Sequence, residues 1–272
     1  MSVESFTSDV PSSVRRARSG PGLVGAELLK LRKRRGLVLT SFGLTVVPMI
    51  IGYTVVTLQH ASDPVRHGPG GGVENFVESI DLLSGFVALV AILIGVTAGT
   101  GDLRAGVFRE LVITGRSRLS LFAARVPGGL ALLLPFAAAG FAVAVVAALV
   151  LAGGEPSPGL RLVVLSGAWI GLLGAVTFLL ALGVSSVIGS SGPSIAILLG
   201  WQLILSPLVL GIDSLGVVRD LLPGAGVVAL VPEQLGFESA LTLAPAAIAA
   251  NLALWTLAPL AAGAWRTSTR DA

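Results

Sequence analysis

Three groups of residues in this chain have the types that could do chemistry. Gly189-Ser190-Ser191-Gly192 places serines in a glycine frame of the kind an intramembrane nucleophile uses. Such a serine needs an imidazole base from a later segment. The two histidines, His60 and His67, both precede it, so hydrolysis by that route is disfavoured. The same pair could suggest a metal site, but seven residues apart in a glycine-rich loop, without further ligands, they make poor evidence for one. The only lysines are Lys30 and Lys33, and neither follows a glycine, so there is no phosphate loop of the G-x-x-x-x-G-K type. The chain is therefore expected to be no enzyme, with any ATP hydrolysis left to another subunit. The third group is a run of both charge signs, Gly101–Arg125, GDLRAGVFRELVITGRSRLSLFAAR. Val107, Leu111 and Val112 could form one face of a short helix, ringed by Asp102, Arg104, Arg109, Glu110, Arg116 and Arg118. Such a helix suits docking in a partner's cleft, with apolar anchors and charges that set register. The bland alternative is a solvated loop whose arginines only enforce topology.

The elements that must position these residues are membrane spans. Five stretches carry no Asp, Glu, Lys or Arg: Gly36–Ser62, Leu82–Gly101, Val126–Gly154, Leu162–Ile212 and Ser239–Trp265, of 27, 20, 29, 51 and 27 residues. About 20 apolar residues cross a hydrocarbon core of roughly 30 Å. The 51-residue stretch holds two crossings, broken at Gly189–Pro193. The expected fold is an all-α membrane protein with six spans, near Leu37–Leu58, Leu82–Thr100, Val126–Leu151, Leu162–Ile188, Ser194–Ile212 and Leu241–Trp265.

Six spans put both termini on one side. That side receives 15 of the 18 Lys and Arg; the other has Arg66, Arg161 and Arg219. The positive-inside bias then places both termini in the cytoplasm of a plasma-membrane protein. Only 12% of residues are charged, about half the share in soluble domains. The basic residues lie beside spans, where topology and anionic headgroups explain them, so no nucleic-acid partner is expected. With no cysteine there can be no disulfide and no thiolate ligand. The first apolar run begins only at Gly36, which argues against a cleaved signal peptide.

Four regions follow from the patterning. Residues 1–21 read as a disordered cytoplasmic tail. Residues 22–36 read as an amphipathic N-terminal helix, with Val24, Leu28 and Leu31 apolar and Glu27, Lys30, Lys33 and Arg34 polar, most simply lying in the headgroup layer. A Glu27–Lys30 pair on its solvated side would contribute a few tenths of a kcal/mol. Residues 37–265 form the six-span domain and 266–272 a cytoplasmic tail. Gly95 with Gly99, and Gly167 with Gly171, have the spacing that lets membrane helices approach. Pro48, Pro135, Pro207, Pro245 and Pro259 are expected to kink or open their helices. Leu221–Val231 is apolar but about half the crossing length, so Asp213–Glu238 reads as an outer re-entrant or interfacial hairpin. The spans lack the acids and bases that coupling ions need, which disfavours ion-coupled transport. Gln202 and Asn251 remain as pathway candidates, although such residues more often bond to a neighbouring helix.

On these residues the chain resembles the permeases of the ABC-2 family. The loop between their second and third spans commonly runs as an acidic residue and Arg, then Gly-Thr, a hydrophobic pair, Thr-Pro and Ser-Arg. Here Asp102 and Arg104 stand at the start, Gly106-Val107 at Gly-Thr, Leu111-Val112 at the pair, and Thr114-Gly115 with Ser117-Arg118 at the end; Val107 and Gly115 depart from the pattern. Ala26–Gly36, AELLKLRKRRG, is similar to the helix by which that family's chains approach the membrane, with Glu27, Lys30 and Lys33 in it. The resemblance implies a pair of permeases, homo- or heterodimeric, each resting on a cytoplasmic subunit that binds ATP and Mg²⁺. Closure of those subunits would move the N-terminal helix and the inner loop (Asp102, Arg104, Gly106, Arg109, Glu110, Leu111, Arg116, Arg118). It also implies export, often of amphiphiles. An importer signature fits less well, because Gly115 lies five residues after Glu110 instead of six and Leu111-Val112 replace its alanines. The alternative is an ion-coupled carrier or channel acting without an ATPase.

Overall fold

The structure, a computed structural model, describes residues 20–104, 117–212, 215–235, 241 and 243–269. Among the described residues every regular element is helical. The chain opens with α1 (Gly20–Arg32), and the first span is split into α2 (Arg35–Thr45) and α3 (Val47–Ser62). The second, third and fourth spans are α4 (Gly72–Arg104), α5 (Arg118–Val150) and α6 (Leu160–Ile188). The fifth comprises α7 (Ser191–Gly200), a π-helical turn (Trp201–Leu205) and α8 (Ser206–Leu210). A connector with α9 (Val217–Asp220), α10 (Ala225–Val228) and a 3-10 turn (Glu233–Leu235) leads to the sixth, α11 (Pro245–Thr269).

Six segments are long and apolar enough to cross a membrane: Arg35–Ser62, Gly72–Asp102, Arg118–Val150, Leu160–Ile188, Ser191–Leu210 and Pro245–Thr269. These match the six expected spans in number and order: the first four begin earlier than expected, the second by ten residues, the fifth runs from Ser191 to Leu210, and the sixth is displaced by four residues towards the C-terminus. The chain is thus a multi-pass membrane protein by architecture. The 1–19 and 270–272 tails lie outside the described residues.

The second and fourth spans form the centre. Their most apolar stretches are 61% and 50% buried within the protein, against 11% for the sixth. One core cluster joins Phe76, Ile80, Leu83 and Val87 of α4 to Trp169 and Ile170 of α6, with Met49 and Tyr53 of α3. A second, nearer the other end, joins Leu31 of α1 to Val90 and Ile94 of α4, Phe122 and Leu133 of α5, and Phe178 and Leu182 of α6. Small residues allow the central contact. A Cβ on Gly95 would stand 2.7 Å from that of Ala181, and one on Gly99 would lie 3.1 Å from the Leu182 carbonyl oxygen. The other expected pair divides: Gly167 faces Phe141, whereas a Cβ on Gly171 would meet nothing within 4 Å. An unexpected close crossing holds α11 to α6, where a Cβ on Gly183 would sit 2.5 Å from the Pro259 carbonyl oxygen.

The prolines act mostly at junctions. Pro48 stands in the first turn of α3, just after the break at Val46 that splits span one. Pro207 opens α8 beyond the π turn. Pro245 begins α11, where its missing N–H leaves no helical bond unmade. Pro135 and Pro259 do not break their helices, each of which stays continuous through its proline. Between spans four and five, α6 ends at Ile188 and Gly189 adopts φ 77°, a left-handed turn suited to glycine.

Candidate functional site

The most chemically loaded place in the fold is a cluster of four charges where α1, α4 and α5 meet. Asp102, on the last turn of α4, is buried among cations: its Oδ1 accepts from Lys30 Nζ at 2.8 Å and its Oδ2 from Arg125 Nη2 at 2.9 Å. Lys30 also reaches Glu27 Oε2, at 2.6 Å. Arg125 is only 2% exposed, donates from Nη1 to the Gly99 carbonyl at 3.3 Å, and lies 5.9 Å from the Phe122 ring centroid. Two cations thus face two carboxylates, which offsets the large desolvation penalty of burying each. Satisfaction is incomplete, because Glu27 Oε1 and Arg125 Nε are buried without partners among the described residues. Glycines make the room: a Cβ on Gly128 would meet Glu27 Cγ at 2.9 Å, and one on Gly101 would meet Arg34 Nη2 at 3.0 Å.

This arrangement corrects the reading of the N-terminal helix. Glu27 and Lys30 do not pair on a solvated side. Their edge turns inward onto α4 and α5 and Glu27 is buried, while Ala26, Leu29 and Arg32 are exposed. The helix therefore packs on protein as well as offering an apolar residue to its surroundings. Leu31 is wholly buried in the second core cluster, with Leu28 packed against it.

The cluster also brackets the loop between spans two and three. Asp102 precedes it and Arg125 follows it, so both flanks of residues 105–116 are tied to each other and to α1. Ser117 caps α5, its Oγ accepting from the Ser120 N–H at 3.1 Å. Arg118 is half-buried and donates to the Ser268 carbonyl at 3.2 Å, which links the start of α5 to the end of α11. Gly106, Arg109, Glu110, Leu111 and Arg116 lie outside the described residues, and Arg104 contributes only the last residue of α4. Lys33 is exposed and stays out of the cluster.

The two pathway candidates separate. Asn251 on α11 is a structural clamp for the connector: Oδ1 accepts from the Gly226 N–H at 3.1 Å, and Nδ2 donates to the Asp220 and Leu222 carbonyls at 2.9 and 3.0 Å. Trp169 and Trp255 reinforce it, donating to the carbonyls of Val227 at 3.0 Å and Leu221 at 2.8 Å. Gln202, in the π turn, instead lines a small cavity beneath that connector. In the loop between spans one and two, His60 Nδ1 donates to the His67 carbonyl at 2.8 Å, so the two histidines close a turn.

The residue that sequence reasoning missed is Arg125. It looked like one more topology-setting cation at a span boundary. The available signal was that Asp102 and Arg125 are the opposite charges nearest the facing ends of two charge-free blocks, with Gly128 one turn further in. No protein-family model matches the chain, and no curated protein matches it.

Proposed function

We propose that this chain is the membrane-spanning permease subunit of an ATP-driven exporter. It works beside a second permease and draws its energy from a separate cytoplasmic subunit that binds ATP and Mg²⁺. In this reading the basic end of the bundle, with both termini, faces the cytoplasm, and the connector between spans five and six is interfacial or re-entrant on the outer face. The observation that carries the reading is the tie between Asp102, Arg125 and Lys30. A force applied to the loop by an ATPase would reach α1 and the central span α4 together, because one carboxylate holds all three helices.

The test is reconstitution. The chain, co-expressed with a nucleotide-binding subunit encoded beside it, is expected to co-purify with that subunit and to stimulate its ATP hydrolysis. If the loop docks on the ATPase, Glu110→Arg reverses one of the charges that set its register and is expected to uncouple hydrolysis from transport while membrane levels hold. Transport by the purified chain alone, driven by an ion gradient without ATP, would refute the proposal.

A further inference from the structure

Hydroxyls on apolar helices ordinarily return to a carbonyl one turn back, and many here do: Thr100 to Val96, Ser186 to Leu182, Thr256 to Leu252 and Thr267 to Gly263, at 2.6–2.8 Å. Thr177 and Ser206 do not. Among the described residues, neither these two side chains nor those of Gln202 and Trp201 make a hydrogen bond. All four line one cavity of about 60 Å³, enclosed by α6, the π turn of span five, α11 and the connector.

The π turn adds a fifth polar group. The Ser206 N–H donates to the Trp201 carbonyl, five residues back. Pro207 has no N–H to give. The Gln202 carbonyl therefore loses both of the donors that a helix would supply. Gly224 (φ 94°) and its neighbours in the connector roof the cavity, and Trp255 forms a second indole wall. Among the described residues no ionisable side chain lines it.

Unspent donors and acceptors without charge, between aromatic walls in an apolar bundle, define a ligand. An ion would enter without a counter-charge, which is strongly disfavoured at such a site. A purely apolar group would leave the polar atoms unsatisfied. The volume corresponds to about two water molecules at roughly 30 Å³ each, enough for one small polar head. We propose that this cavity binds the neutral hydrogen-bonding head of an amphiphile, a hydroxyl or amide, whose alkyl tail runs into the surrounding hydrocarbon. Gln202 is the principal contact, with Thr177 and Ser206 completing it. The site is independent of the ATP-coupling reading, because binding requires only this chain.

The full chain in phosphatidylcholine nanodiscs is titrated with three amphiphiles of one chain length: 1,2-decanediol, decanoate and decyltrimethylammonium. Tryptophan emission is the readout, since Trp201 and Trp255 wall the cavity. The diol is expected to give a saturable shift and the two ionic amphiphiles an unsaturated one. Loss of two hydrogen bonds in Thr177→Val with Gln202→Leu should weaken diol binding about 10- to 100-fold. The milder Ser206→Ala, which keeps the π turn's backbone, should weaken it several-fold and serves if the double variant fails to fold. An identical unsaturated response to all three amphiphiles would mean simple partition into the bilayer and would overturn the proposal. Saturable diol binding that both variants leave unchanged would place the ligand elsewhere and overturn it equally.

Discussion

Asp102 and Arg125 stand 2.9 Å apart, carboxylate to guanidinium, at the two flanks of the segment that joins the second and third spans. Their side chains are 7% and 2% exposed, so neither charge is relieved by water. Asp102→Asn leaves Arg125 and Lys30 facing each other without their shared anion. A broken buried pair of this kind costs about 3–5 kcal/mol, which should appear as a markedly lowered unfolding midpoint in detergent. Lys30→Met should cost less than Asp102→Asn, because the Lys30 side chain is 29% exposed and Asp102 keeps Arg125, although Glu27 loses its partner. Replacing both charges, Asp102→Leu with Arg125→Met, should recover much of the loss. A double-mutant cycle without coupling between the two positions would contradict the ion-pair account.

The 15-to-3 partition of basic residues predicts that both termini face the cytoplasm. Single cysteines can report it without background, because the native chain has none. Ser2, Ser117 and Thr269 replaced by cysteine should be protected from an impermeant thiol reagent in sealed, right-side-out cells. Cysteines at the exposed positions Gly68 and Ser157, and at Ser239, should be labelled. Labelling at position 117 from outside would reverse the assignment of both termini.

The crossing of α6 and α11 depends on Gly183. A side chain there meets the Pro259–Leu260 backbone, and backbone cannot rotate away as a flexible side chain can. Gly183→Val should therefore cost about 1–3 kcal/mol, the usual range for overpacking, and loosen α11. Gly171→Val, with nothing within 4 Å of the added Cβ, should be tolerated. Proteolysis near the C-terminal end of α11 would compare the two, and equal sensitivity would show that the glycine at 183 is dispensable.

The contrast between Gly183 and Gly171 also shows what the sequence could disclose. Span number came from local composition, since an uninterrupted apolar stretch has few other uses, and each charge-free block became one or two helices. The breaks at Pro48 and Gly189 were readable because missing N–H groups and left-handed turns are local properties. Which glycine meets which helix was not, because rotation about a helix axis is set by partners distant in the chain. Gly183 and Gly263 meet through such a contact. Arg125 was hidden for the same reason: its carboxylate lies 23 residues away and its environment is made by three helices. Asn251 looked polar in an apolar span, yet only the folded connector reveals the three backbone groups that it satisfies.

The connector supplies the sharpest test of depth. Its longest described helices, α9 and α10, have four residues each, about 6 Å at 1.5 Å per residue, against roughly 30 Å for a crossing. Val143 packs against the main core from within the third span, whereas Val228 is half-buried at the edge of a small satellite cluster with Leu210 and Ala225. Arg at the centre of a span costs about 2.5–3.5 kcal/mol on insertion, but an interfacial segment lets the side chain extend toward water. Val143→Arg should therefore sharply reduce membrane abundance, and Val228→Arg should leave it largely intact. Val228 also lines the cavity beneath the connector, so the surviving Val228→Arg protein should lose saturable diol binding while remaining folded. Equal loss of abundance in the two variants would place the connector at membrane depth and rule out its interfacial assignment.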